Sequence, residues 1–185
     1  MRACSKISLD STRLEFQARK LLVIDIPQNP ESPMLNQPGS VTSLTQGVRL
    51  DVVSAIRQAS AQTGVDFSYL MQKAEAESSF NPQAQAPTSS ARGLFQFIDK
   101  TWLETLDRHG DAHGLGKAAE LITRNSNGEL EVKDPTARRE ILAMRDNPRI
   151  AAIMAAELAR DNQTSLEQSL GRKVGNTEMY MAHFL

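Results

Sequence analysis

A nearly all-helical (all-α) domain carrying a loop-rich N-terminal extension is the architecture this 185-residue chain predicts. Three observations point there. Apolar residues from Leu50 onward recur at the three- and four-residue spacing of an amphipathic helix. Helix-opening residues and helix-stopping glycines punctuate that pattern. The alternating period of a half-buried strand is weak throughout, so helices must pack on helices.

Residues 1–49 form the extension. Pro27, Pro30, Pro33 and Pro38, with Asn29, Ser32, Asn36, Gly39 and Ser40, favour extended, loop-like backbone. We expect a poorly ordered tail or linker here, with one short strand or helix around residues 14–26. The folded domain then covers 50–185. In it Val52, Val53, Ile56 and Ala59 share one helix face, and Gly64 supplies a stop. Asp66 caps a second helix by accepting a bond from a free backbone N–H. Phe67, Leu70, Met71 and Ala74 line its apolar face. Asn81-Pro82 closes that pattern, because proline disfavours helical geometry in the residue before it.

A polar loop follows over 83–92. Asp99 is read as the cap of a helix with Trp102, Leu103 and Leu106 on one face, ended by Gly110. Residues 111–133 are loose, with one short helix at 117–123. Asp134-Pro135 and Asn147-Pro148 each combine a cap with a first-turn proline and open helices at 135–145 and 148–161. The second is rich in alanine (Ala151, Ala152, Ala155, Ala156, Ala159) and so can approach a neighbour closely. Thr164 opens a short helix stopped by Gly171, and Thr177 opens the last, over 178–185.

Composition narrows the function by exclusion. Lys plus Arg is 21 and Asp plus Glu is 22, a formal net charge of −1. That balance excludes a generic nucleic-acid binder, which needs an excess of cations. Apolar residues at 40% and charged residues at 23% allow a real core. The one cysteine, Cys4, permits no internal disulfide and no cysteine-based zinc site. Leu21-Leu22-Val23-Ile24 is broken at once by Asp25, too short for a secretory apolar region of roughly 7–15 residues or a membrane span of about 20. No membrane span and no signal peptide are therefore expected.

The sharpest chemical feature is Glu75-Ala76-Glu77 at the end of the second helix. At 100° per residue the two carboxylates point to different sides. Glu77 lies seven residues after Leu70, at the margin of the apolar stripe, whereas Glu75 lies beyond the opposite margin. Glu77 is therefore the better placed for partial desolvation, which raises a carboxyl pKa and suits a general acid. On this pattern alone, both glutamates being ordinary solvated helix residues is the competing reading.

Glu77-Ser78-Ser79-Phe80-Asn81-Pro82, followed by Ala91-Arg92-Gly93-Leu94-Phe95-Gln96, resembles the paired signature of the soluble lytic transglycosylase (SLT) catalytic domain, a member of the lysozyme-like superfamily. Tyr180-Met181-Ala182-His183-Phe184-Leu185 is similar to the family's third motif. The likeness covers roughly residues 50–185. It implies cleavage of the β-1,4 bond between N-acetylmuramic acid and N-acetylglucosamine in peptidoglycan, with no cofactor and no metal. The family's single catalytic carboxyl maps onto Glu77. It protonates the leaving oxygen, then acts as base on the muramoyl C6 hydroxyl, giving a 1,6-anhydro product. An internal nucleophile removes the need for the second carboxylate that most glycosidases use, and an intramolecular attack of this kind gains on the order of 7–11 kcal/mol in favourable cases.

The resemblance also supplies substrate-binding candidates. Gln96 maps onto the motif glutamine and should hydrogen-bond sugar or shape the groove. Phe95 replaces the usual methionine and offers either a stacking face or packing. Gly93 lets backbone approach the substrate closely. The family's loop serine maps onto Thr88 or Ser89, and the choice stays open. Tyr180 and His183 are candidates for the wall opposite Glu77. The chain stops at Leu185, just before the motif's expected glycine, which leaves open a fragment or an incomplete wall.

Expected partners are peptidoglycan strands and, by analogy with the family, an envelope-spanning secretion or flagellar assembly. The expected location is the cell envelope or periplasm. Two other readings stand beside the transglycosylase: a peptidoglycan hydrolase, and a wall-binding module without turnover. His109 and His113 stand four apart without an obvious third metal ligand and read as loop histidines. Arg138, Arg139, Arg145 and Arg149 read as a solvated helix face, or as a contact for an anionic wall polymer.

Overall fold

The computed structural model describes residues 41–182, with side chains described over 49–179. The segment expected around residues 14–26, Cys4, His183 and the side chain of Tyr180 lie outside these. Within them the fold is all-α, as expected. Seven helices, α1 Val41–Thr63, α2 Phe67–Ser78, α3 Asp99–His109, α4 Gly116–Ala119, α5 Pro135–Ala143, α6 Pro148–Leu170 and α7 Asn176–Ala182, are joined by short 3-10 turns at Asp111–His113 and Met144–Asp146. A two-residue antiparallel hairpin, β1 Thr123–Arg124 with β2 Leu130–Glu131, is the sheet content among the described residues. Asn125 closes its turn by accepting from the N–H groups of Asn127 and Glu129, both at 2.9 Å.

The helix ends follow local chemistry. Asp66 accepts from Tyr69 N–H at 2.9 Å, Asp134 from Ala137 N–H at 2.7 Å and Asn147 from Arg149 and Ile150 N–H at 3.0 and 3.3 Å. Each bond satisfies a donor that the first helical turn leaves without a partner. Pro135 and Pro148 occupy the first turns, where a missing N–H costs nothing.

Three expectations are corrected. The first helix begins at Val41 rather than Leu50: Val41, Leu44 and Val48 extend its three- and four-residue spacing upstream into the expected extension. α6 runs unbroken to Leu170, so Thr164 opens no helix; its hydroxyl donates back to Arg160 O within the same helix. Asp99 does not cap α3. It stands inside the first turn, where Ser90 Oγ accepts its N–H at 3.2 Å and its carboxylate turns to two arginines.

α1 packs most extensively against α6. Ala55, Ile56 and Ala59 on one and Ala151, Ala152, Ala155 and Ala156 on the other are all buried. Small side chains let the two axes come close, the ordinary consequence of alanine at a helix interface. α2 packs onto α1, and its Leu70 and Ala74 are fully buried. On α3, Trp102 is completely buried; its indole N–H donates to Ile141 O at 2.8 Å and its ring meets Phe97 edge-on at 5.2 Å. These contacts fix α2 and the loop after it, which together build the candidate site.

Candidate active site

Glu77 sits in the last turn of α2, half-buried, while Glu75 is exposed. This is the asymmetry that helix geometry predicts. Tyr69, buried on the same helix, feels the Glu77 charge: burial pushes its phenol above the ordinary value, and the nearby carboxylate pushes it further.

The chain turns sharply after Glu77. Ser79 ends the helix in the left-handed region at φ 52°, and Phe80 follows at φ 64°. Ser79 N–H bonds Glu75 O at 2.9 Å and Phe80 N–H reaches Ala74 O at 3.3 Å, so the last carbonyls are satisfied. Two consecutive non-glycine residues there cost on the order of 1 kcal/mol each. Such strain persists only where neighbours over-determine it. Here Ser78 does part of that: its hydroxyl lies 2.8 Å from Leu94 O and 3.1 Å from Ala74 O, stitching the helix end to the second motif.

The second motif is a folded loop. Arg92 and Phe97 exchange both backbone hydrogen bonds at 3.1 Å, and Gly93 N–H donates to Ala84 O at 2.8 Å. Gln96 lies in the left-handed region, φ 48°, and its side-chain amide donates to Gly93 O at 2.8 Å and Ala84 O at 3.1 Å. Of the two roles expected for Gln96, these bonds are those of a loop-shaping one. Gly93 has φ 81°, and a Cβ there would stand 2.1 Å from Arg145 O. The substrate approach expected of this glycine is corrected: it is required by contact with the chain's own backbone.

That contact exposes the residues the sequence did not reveal. Arg145 is 4% exposed. Its guanidinium donates to Ser90 O at 2.9 Å and Phe97 O at 2.8 Å, its Nε donates to Leu142 O at 2.8 Å, and it pairs with Asp99 at 2.9 Å. Burial pulls its pKa down, and Asp99 opposes that. Asp146, the next residue, takes both ends of the Arg92 guanidinium. Arg138 also pairs with Asp99, at 2.9 Å. The expected solvated arginine face is thus corrected: Arg145 is a buried clasp and Arg138 is engaged, while Arg139 and Arg149 stay exposed. Capping rules are local and carry no information about such partners.

The remaining candidates fall in different places. Phe95 is 4% exposed and belongs to the core, so the ring serves packing and the stacking face is set aside. Thr88 and Ser89 are exposed on the loop; Ser89 Oγ accepts Ala91 N–H at 3.2 Å, a local turn bond. Tyr180 is on α7.

His109 and His113 both face α6. His113 Nε2 lies 2.7 Å from Glu157, which is 3% exposed, and His109 Nε2 lies 2.9 Å from Asp161. Arg160 approaches Glu157 at 2.6 Å, outside hydrogen-bonding alignment, and Arg108 reaches Asp161 at 2.5 Å. Among the described residues no group of three or more His, Cys, Asp and Glu side chains is disposed to hold a metal ion.

Residues 54–117 match the family model described as Transglycosylase SLT domain. That segment is similar to a transglycosylase SLT domain. It runs from α1 into α4 and contains both motifs, with Glu77, Gly93 and Gln96 inside it. With an SLT domain goes a transglycosylase-type function directed at peptidoglycan. No helix among the described residues is long and apolar enough to cross a membrane.

Proposed function

We propose that this SLT protein is a lytic transglycosylase that cleaves the MurNAc–GlcNAc β-1,4 bond with Glu77 as its sole acid and base. One observation carries the reading. The carboxylates near the motif loop are engaged elsewhere, Asp99 by Arg138 and Arg145 and Asp146 by Arg92, while Glu75 is exposed on another side of α2. Among the described residues, the acids named here are engaged elsewhere or turned away, which supports a one-carboxyl mechanism over a two-acid one.

A balanced reaction with one carboxyl runs in two steps. Protonated Glu77 gives its proton to the bridging oxygen, and the C1–O bond breaks with release of the N-acetylglucosamine 4-hydroxyl. The resulting carboxylate takes the proton of the muramoyl C6 hydroxyl as O6 bonds to C1. Glu77 ends as it began, and no water is consumed. Gln96, Thr88 or Ser89, Tyr180 and His183 remain the substrate-side candidates of this reading, and the cell envelope is where its substrate lies.

Digestion of purified sacculi tests it. Muropeptides ending in 1,6-anhydro-muramic acid are the expected product, whereas reducing muramic acid ends would mean hydrolysis. Sacculi that are bound without release of any muropeptide would mean a binding module.

A further inference from the structure

A cavity of about 570 Å³ opens between α1, the Asp111–His113 turn and the start of α6, and neither Glu77 nor any residue of the loop from Ser78 to Phe97 lines it. Its size falls within the roughly 300–1,000 Å³ typical of ligand pockets. Ala59, Ile150 and Ile153 give it apolar walls, and Gln58, Gln62, His113 and Arg149 are its polar groups. No carboxylate lines it, in a chain with 22 of them.

Arg149 is the informative member. Arg92, Arg108, Arg138 and Arg145 each meet a carboxylate, but the exposed Arg149 side chain has no such partner among the described residues. It also stands in the first turn of the 23-residue α6, where the helix dipole adds positive potential. His113 is fixed from behind by Glu157 through Nε2. The result is a cationic end, two amides and an aliphatic floor.

We propose that this cavity is a second binding site, for a short carboxylate-bearing peptide. Arg149 takes the carboxylate as a charge-assisted pair. Gln58 and Gln62 take peptide amides, and the isoleucine and alanine walls take small aliphatic side chains. The alanine- and glutamate-containing side peptides of peptidoglycan have this chemistry, and naming them rests on the wall-directed function proposed above. Such a site would hold the polymer by its peptides while the Glu77 site addresses its glycan.

The test is a nuclear magnetic resonance titration of the full chain with the dipeptide L-alanyl-γ-D-glutamate, its uncharged diamide, and acetate. Saturable shifts are expected at Gln58, Gln62 and Arg149 for the dipeptide, with binding weakened about tenfold or more for the diamide, for acetate and for Arg149→Glu. Arg149→Lys should retain binding within a few-fold, and Gln62→Ala should weaken it without touching charge. Dipeptide binding no tighter than acetate, or unchanged by Arg149→Glu in a variant with native circular dichroism, overturns the proposal. Glu77→Gln should bind the dipeptide like wild type. Sacculus cleavage without dipeptide binding therefore sinks this site alone, and dipeptide binding without any cleavage sinks the transglycosylase reading alone.

Discussion

Gly93 has a φ of 81°, and a Cβ on it would stand 2.1 Å from the carbonyl oxygen of Arg145. Either condition alone would disfavour any other residue; together they make the site intolerant. Gly93→Ala should cost about 2 kcal/mol or more, read as a lower urea midpoint with an unchanged slope. Arg145, on the other side of that contact, answers three carbonyls and Asp99 from a buried position. Removing its charge with Arg145→Met leaves those acceptors without their donor and should cost roughly 3 kcal/mol. Because the clasp holds the Gln96 loop, the same variant should lose sacculus cleavage more steeply than it loses stability. The half-burial of Glu77 was legible in the sequence, since the period of a helix places a residue relative to its own apolar stripe. The burial of Arg145 was not. It depends on which loop the chain later lays across it.

Helix ends were the most readable elements for the same reason. Asp66, Asp134 and Asn147 act on donors within their own first turn, so short-range chemistry names them correctly. Asp99 misleads by the same logic, because two distant arginines and the hydroxyl of Ser90 compete for a residue that local rules assign to a cap. The Thr164 misreading is similar: threonine opens helices, but inside one its hydroxyl simply returns to the carbonyl four residues back. Between α3 and α6, Asp161 links His109 and Arg108. Burial raises the Asp161 carboxyl, but the hydrogen bonds from His109 and Arg108 outweigh it and hold it below its ordinary value. A depressed acid stabilises the fold above its unfolded pKa of about 3.9 and loses that contribution as pH falls through the lower folded value. Asp161→Asn should therefore cost about 1 kcal/mol at pH near 5, and the gap to wild type should narrow as pH falls below about 3.9 and through the lower folded value, in thermal or urea melts across that range.

At the scale of the whole domain, alanine on α6 is what lets α1 lie close enough to carry α2 and its terminal glutamate. Ala155 is 1% exposed. Ala155→Leu should overpack the α1–α6 contact and cost about 1–3 kcal/mol, seen as a lower melting temperature. The alanine run was conspicuous in the sequence, and the close packing it implies is what the fold contains. The polar clasp that shapes the motif loop crosses from α3 to the Met144–Asp146 turn and could only be seen once both were in place. In the proposed function, what the domain does with this scaffold hangs on Glu77. The most direct measurement is mass spectrometry of the muropeptides released from purified sacculi by wild type and by Glu77→Gln. Anhydro-ended fragments from wild type, falling by at least about two to four orders of magnitude in the variant with its circular dichroism unchanged, are the predicted result. Anhydro ends released at an undiminished rate by Glu77→Gln would contradict it.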